Sequence, residues 1–134
     1  MSQYNLFLDD ERKPSQVNWI DLPLVEWTIV RNYDDFVRVI SSMGMPQRIS
    51  FDHDLSNEHY QEYMWAHDKR NASSRGVFRY DKFKEKTGLD CAKWLVRYCQ
   101  ERGEVVPEYF VHSMNYMGKE NIISYLESYK RSLT

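Results

Sequence analysis

The chain has 134 residues, 42% of them apolar and 15% aromatic, enough for one domain that buries about 70% of its unfolded surface. Its 18 basic and 20 acidic side chains leave a formal charge of −2, which excludes the basic footprint of a general duplex-DNA binder. No apolar run approaches the roughly 20 residues of a membrane span, and Met1-Ser2-Gln3-Tyr4-Asn5 lacks the charged and apolar stretches of a secretory signal, so a cytosolic protein is expected. Cys91 and Cys99 lie eight apart in what reads as one helix. They cannot pair with each other, fit no zinc spacing, and are expected as core thiols.

The first apolar run, Leu6-Phe7-Leu8, ends abruptly in Asp9-Asp10-Glu11-Arg12, as a strand buried on both faces does where it leaves its sheet. Val25 to Val30 has the β-branched and aromatic content of a second strand, and Asn32 behind it suits a helix N-cap. Phe36, Val39, Ile40 and Met43 recur at i, i+3, i+4 and i+7 and define one apolar helix face, stopped by Gly44 and Pro46. A third strand, Arg48-Ile49-Ser50-Phe51, runs straight into Asp52-His53-Asp54. Thr87 with Asp90 three residues later reads as a capping box, and Leu89, Ala92, Leu95, Val96 and Cys99 form the apolar face of a helix that Gly103 closes. Tyr109-Phe110-Val111 predicts a fourth strand ending in His112-Ser113, and Ile122, Leu126 and Tyr129 share one side of a last helix.

Strands alternating with helices predict a parallel sheet with right-handed crossovers, whose ligands sit at the carboxyl ends of the strands. Three of the four apolar runs end there in ionisable groups: Asp9 and Asp10, then Asp52, His53 and Asp54, then His112 beside Ser113. The segment from about residue 56 to 86 breaks the rhythm, because some thirty residues stand where a few would do. It reads as an insertion into a single domain spanning residues 1–134. Within it, Tyr60, Tyr63, Met64 and His67 fall on one side of a possible helix, and seven basic against five acidic residues suggest a lid over an anionic ligand. A surface excursion with a small aromatic cluster explains the same residues equally well. His59 and His67 lack the zinc-protease spacing and are expected to be solvated, and Tyr60, Tyr63 and Trp65 either stack on a base or pack locally.

Hard divalent cations such as magnesium or manganese take oxygen ligands, and carboxylates crowded at one edge repel unless a cation or a proton neutralises them. Asp9, Asp10, Asp52 and Asp54 therefore form a candidate metal site, against the plainer reading that they cap loops and helix starts. If the extended backbone persists, Asp52 and Asp54 point one way and His53 the other, leaving His53 as a supporting partner or a core histidine. His112, Ser113 and Asn115 stand at the entry to the last helix, whose free amides attract phosphate. His112 is then a proton donor to a leaving alkoxide, with Ser113 and Asn115 on phosphate oxygens. The alternative makes Ser113 or Asn115 a simple N-cap and His112 an interior histidine. No nucleophile-elbow motif supports a serine triad.

At these residues the chain resembles the response-regulator receiver fold, in which an acidic pair after the first strand and an aspartate after the third hold magnesium. Leu6 to Pro14, Ser50 to Leu55, Thr87 to Asp90 and Val111 to Asn115 are similar, more closely, to the cyclic-phosphate processing receiver-like domain family. The resemblance implies a three-layer, flavodoxin-like α/β sheet of about four strands, truncated before the fifth strand and its lysine, with the insertion after the third. It implies enzymes that act on cyclic phosphates in RNA-repair and nucleotide-signalling settings, with relatives among phage genes. Carried over by motif, Asp9, Asp10, Asp52 and Asp54 would bind Mg²⁺ or Mn²⁺, and His112 and Ser113 would face the phosphate. His53 and Arg12 are added as phosphate-binding candidates. Tyr116 stands where the family usually has proline.

The expected function is a metal-dependent phosphoesterase opening a 2',3'-cyclic RNA end or a cyclic nucleotide, with His112, Asp52 and Asp54 as catalytic residues. Its partner is then a nucleotide or RNA-end phosphate, with neither duplex DNA nor membrane. The alternatives are a noncatalytic receiver-like module binding a nucleotide, a metal or a protein, and a phosphoacceptor receiver modified on Asp52 or Asp54, which the missing lysine disfavours.

Overall fold

The computed structural model describes residues 3–56 and 86–133. Four strands, β1 (Asn5–Leu8), β2 (Thr28–Val30), β3 (Arg48–Phe51) and β4 (Glu108–Val111), form one parallel sheet in the order β2-β1-β3-β4. Among the described residues three helices, α1 (Tyr33–Met43), α2 (Gly88–Arg102) and α3 (Tyr116–Ser132), come after β2, β3 and β4 respectively. The helix starts follow the sequence. Asn32 accepts from the Asp35 amide, Thr87 and Asp90 form the reciprocal capping box, and Asn115 accepts from Gly118. The insertion, with the helix and lid readings placed on it, lies outside the described residues apart from its two ends, Ser56 and Lys86.

Strand order explains the layering. The steps β2 to β3 and β3 to β4 move the same way across the sheet, so right-handed crossovers put α1 and α2 on one face. Their apolar sides close over Leu6, Leu8, Ile49, Phe51 and Val111, together with Ile122 and Leu126 of α3. Cys91 and Cys99 are buried thiols in this core. The step β1 to β2 moves the other way, so its connection, residues 9–27, crosses the opposite face, where Phe7 and Ser50 point. The expected third layer is therefore built, among the described residues, from an irregular segment with one short 3-10 turn at Pro14–Gln16. Trp27 meets Phe7 edge-on, and the Trp19 indole N–H donates to the His112 carbonyl at 2.7 Å. Arg31 fastens the same segment through the carbonyls of Asp9 and Arg12.

The second strand is shorter than its propensity suggests. Leu6, Phe7 and Leu8 pair with Thr28, Ile29 and Val30, and β1 begins only at Asn5, so Val25 to Trp27 have little strand to pair with. Asn5 reaches that stretch with one side-chain bond, to the Glu26 carbonyl. No described helix is long and apolar enough to cross a membrane.

Candidate functional site

The sheet register aligns three strand ends. Leu8 pairs with Phe51 and Phe51 with Val111, so Asp9, Asp52 and His112 are each the first residue past their strands. The ladder continues through them: Asp52 N–H donates to Leu8, His112 N–H to Phe51 and Asp9 N–H to Val30. Side chains alternate along a strand, and Leu8, Phe51 and Val111 face the helices. Asp9, Asp52 and His112 consequently share the opposite face at one level. One ligand atom from each lies within 4.8 Å of the others, and all three residues are buried, at 0%, 4% and 0% exposure.

Each group is held differently. The Asp9 carboxylate accepts from His112 Nε2 at 3.0 Å and from the backbone amides of Glu11 and Arg12. Burial pushes its pKa up, but these hydrogen bonds outweigh burial and hold Asp9 below the usual range. The Asp52 carboxylate has one hydrogen bond to a described residue, from the His53 amide. Burial, reinforced by the charges of Asp9, Asp54 and Asp10, pushes it well above the carboxylate range. His112 is driven toward its neutral form by burial, which exceeds the opposing pull of Asp9. Its ring lies flat on Phe7, 4.4 Å between centroids and 5° between planes, and its Nδ1 is 2.7 Å from Ser50 Oγ.

The other sequence candidates divide into two groups. Arg12 brings a half-exposed guanidinium to within 3.6 Å of Asp9 Oδ2, stacked over Trp19. Asp10 stands beside it, partly exposed, its carboxyl pushed up to about 6 by burial and by the Asp9 and Glu11 charges. Asp54 lies outside the cluster: its Oδ1 meets His53 Nδ1 at 2.8 Å and accepts from Asn115 Nδ2 at 3.0 Å. The parity of Asp52 and Asp54 depended on an extended backbone, and β3 ends at Phe51, with the His53 carbonyl bound by the Gly88 amide. His53 itself is an interior histidine, 1% exposed.

Ser113 is buried, and its Oγ accepts from the Asn115 amide, while Asn115 caps α3. Two glycines make this packing possible. A Cβ on Gly118 would lie 2.3 Å from His53 Cγ, and one on Gly88 would lie 1.8 Å from the Asp52 carbonyl oxygen. The geometry thus joins Asp9, Asp52 and His112 in one cluster and places Asp54, His53 and Asn115 in a second beside it. Ser50 was not among the sequence candidates. The signal for it was its period-two spacing from Asp52, which puts both on one face of β3.

The donor set suits a divalent cation: two carboxylates and an imidazole on three rigid strand ends, one carboxylate with little to neutralise it. The imidazole favours manganese over magnesium, which prefers oxygen ligands and retains its waters. The family model described as the cyclic-phosphate processing Receiver domain matches residues 4–128. Comparison with curated proteins and with solved structures gives no match.

Proposed function

The chain belongs to the cyclic-phosphate processing receiver domain family, and we propose that its strand-end cluster is the metal centre of a phosphoesterase that opens a cyclic phosphate. The observation that carries this reading is the convergence of Asp9, Asp52 and His112 within 4.8 Å at the carboxyl edge of a parallel sheet. These three residues would hold Mn²⁺, or Mg²⁺ less well. When bound, the cation supplies charge neutralisation at a phosphate and a more acidic water.

The chain's own groups do the rest. Arg12, half-exposed and 3.6 Å from Asp9, is the cation for a phosphate oxygen among the described residues. Asp54, His53 and Asn115 hold the start of α3 and Ser113 in register with it. His112, fully buried and engaged at both ring nitrogens, is assigned to the ligand set in place of the proton-donor role expected from sequence.

The test is hydrolysis of 2',3'-cyclic nucleotides, 3',5'-cyclic nucleotides and RNA ending in a 2',3'-cyclic phosphate, with Mn²⁺ and with chelator. Turnover that needs Mn²⁺ and disappears in Asp52→Asn is expected. Absence of turnover on every substrate with either cation would overturn the enzymatic reading. The depth of the cluster favours a second reading, a closed binding centre without catalysis. It predicts thermal stabilisation by Mn²⁺ with no product.

A further inference from the structure

Ser50 presents a hydroxyl in a place that otherwise rejects one. It lies in mid-strand with 0% exposure, between Phe7 and Phe110 in register, and its recorded side-chain partner is His112. A buried hydroxyl without a partner is destabilising. The hydroxyl is therefore explained by the imidazole above it.

The two side chains also fit each other in shape. His112 is rooted beyond β4, yet its ring stacks on Phe7 and bonds Asp9, both belonging to β1. To get there it passes over β3, at the level where Ser50 supplies the smallest side chain of that strand. The Phe7 stack fixes the plane of the ring but not which edge faces Asp9. A half-turn about the Cβ–Cγ bond leaves the stack intact and exchanges Nε2 for a carbon. The Ser50 hydroxyl rewards the orientation that keeps Nε2 on the carboxylates.

We infer that Ser50 is a positioning residue that fixes both the orientation and the tautomer of His112 for cation binding. This rests on the metal-centre reading above. With Asp9 an ionised, acceptor-only carboxylate and the ring neutral, the contact at Nε2 requires the ring proton there, and the Ser50 O–H then donates to Nδ1. Coordination through Nε2 needs the lone pair there, so the proton moves to Nδ1 and the ring stays neutral. Ser50 then accepts from Nδ1–H. A hydroxyl serves both states because it both donates and accepts.

The experiment titrates Mn²⁺ into the full chain by calorimetry, with nitrogen NMR of His112 before and after Zn²⁺ as a diamagnetic probe. Ser50→Ala is expected to weaken Mn²⁺ binding by about 10–100-fold, and His112→Ala to abolish it. In the parent chain the His112 signals should change from the Nε2–H to the Nδ1–H tautomer on Zn²⁺ addition. Ser50→Ala binding within twofold of the parent, or an Nδ1–H tautomer already present without cation, overturns the role of Ser50 and leaves the metal centre standing. A parent chain that binds neither ion overturns both. If Ser50→Ala does not fold, the tautomers of the parent decide alone.

Discussion

The two faces of one sheet are built on opposite principles. On the helix side, Leu6, Leu8, Ile49 and Phe51 meet Phe36, Ile40, Leu95, Ile122 and Leu126, all at 0% exposure, and no polar group has to be satisfied among them. On the other side, and only one residue further along the same strands, Asp9, Asp52 and His112 are buried to the same degree. The first arrangement releases apolar surface from water and stabilises the fold. The second takes charge out of water and opposes folding unless something neutralises it. Stability and candidate chemistry are therefore separated by the pleat, not by distance.

Substitutions should separate them too. The largest effect is expected for Leu95→Ala, which leaves a cavity in the helix-side core and costs about 2–5 kcal/mol. Chemical denaturation measures it, and Mn²⁺ affinity should be unchanged wherever the variant remains folded. A change in affinity would break the division. Gly118→Ala comes next, because the added methyl meets the His53 ring directly. It is expected to cost about 1–3 kcal/mol, a loss that a variant without strain at this position would not show.

Asp52→Asn carries the opposite sign. It keeps the acceptor for the His53 amide and removes a carboxyl whose ionisation burial opposes, so the metal-free protein should gain about 1–3 kcal/mol while losing Mn²⁺ binding. The pH dependence follows from the raised pKa. A neutral Asp52 closely resembles asparagine, so parent and variant should be equally stable near pH 3.8, the unfolded value, and below. As pH rises the parent loses stability and the gap in Tm widens. A gap independent of pH would show that charge at Asp52 is not what the fold resists. The smallest effect is expected for Thr87→Ala, about 1 kcal/mol from the lost capping box, with the site intact.

Legibility followed the same division. The helix-side core could be read because apolar periodicity reports burial directly: Phe36 with Ile40, and Ile122 with Leu126 and Tyr129, are buried as their spacing requires. The caps at Asn32 and Thr87 could be read because the side chain and the amide it satisfies are three residues apart. The site was legible only as a set of strand ends. Which carboxylates meet depends on where β3 stops pairing, and apolar patterning does not mark that point. Ser50 was harder to read, because its period-two spacing from Asp52 marks only a shared strand face and its partner lies 62 residues away. Val25 to Trp27 misled through propensity, since a strand needs a neighbour as well as suitable side chains.

The segment crossing the second face has a practical consequence. Trp19 grips the carbonyl of His112, and Arg12, stacked on the same indole, approaches Asp9. A fluorophore is thus wired to the backbone of one candidate ligand and to the neighbour of another. Paramagnetic Mn²⁺ arriving there should quench its emission, and Trp19→Phe should remove that part of the signal, so occupancy can be followed optically in the unlabelled protein.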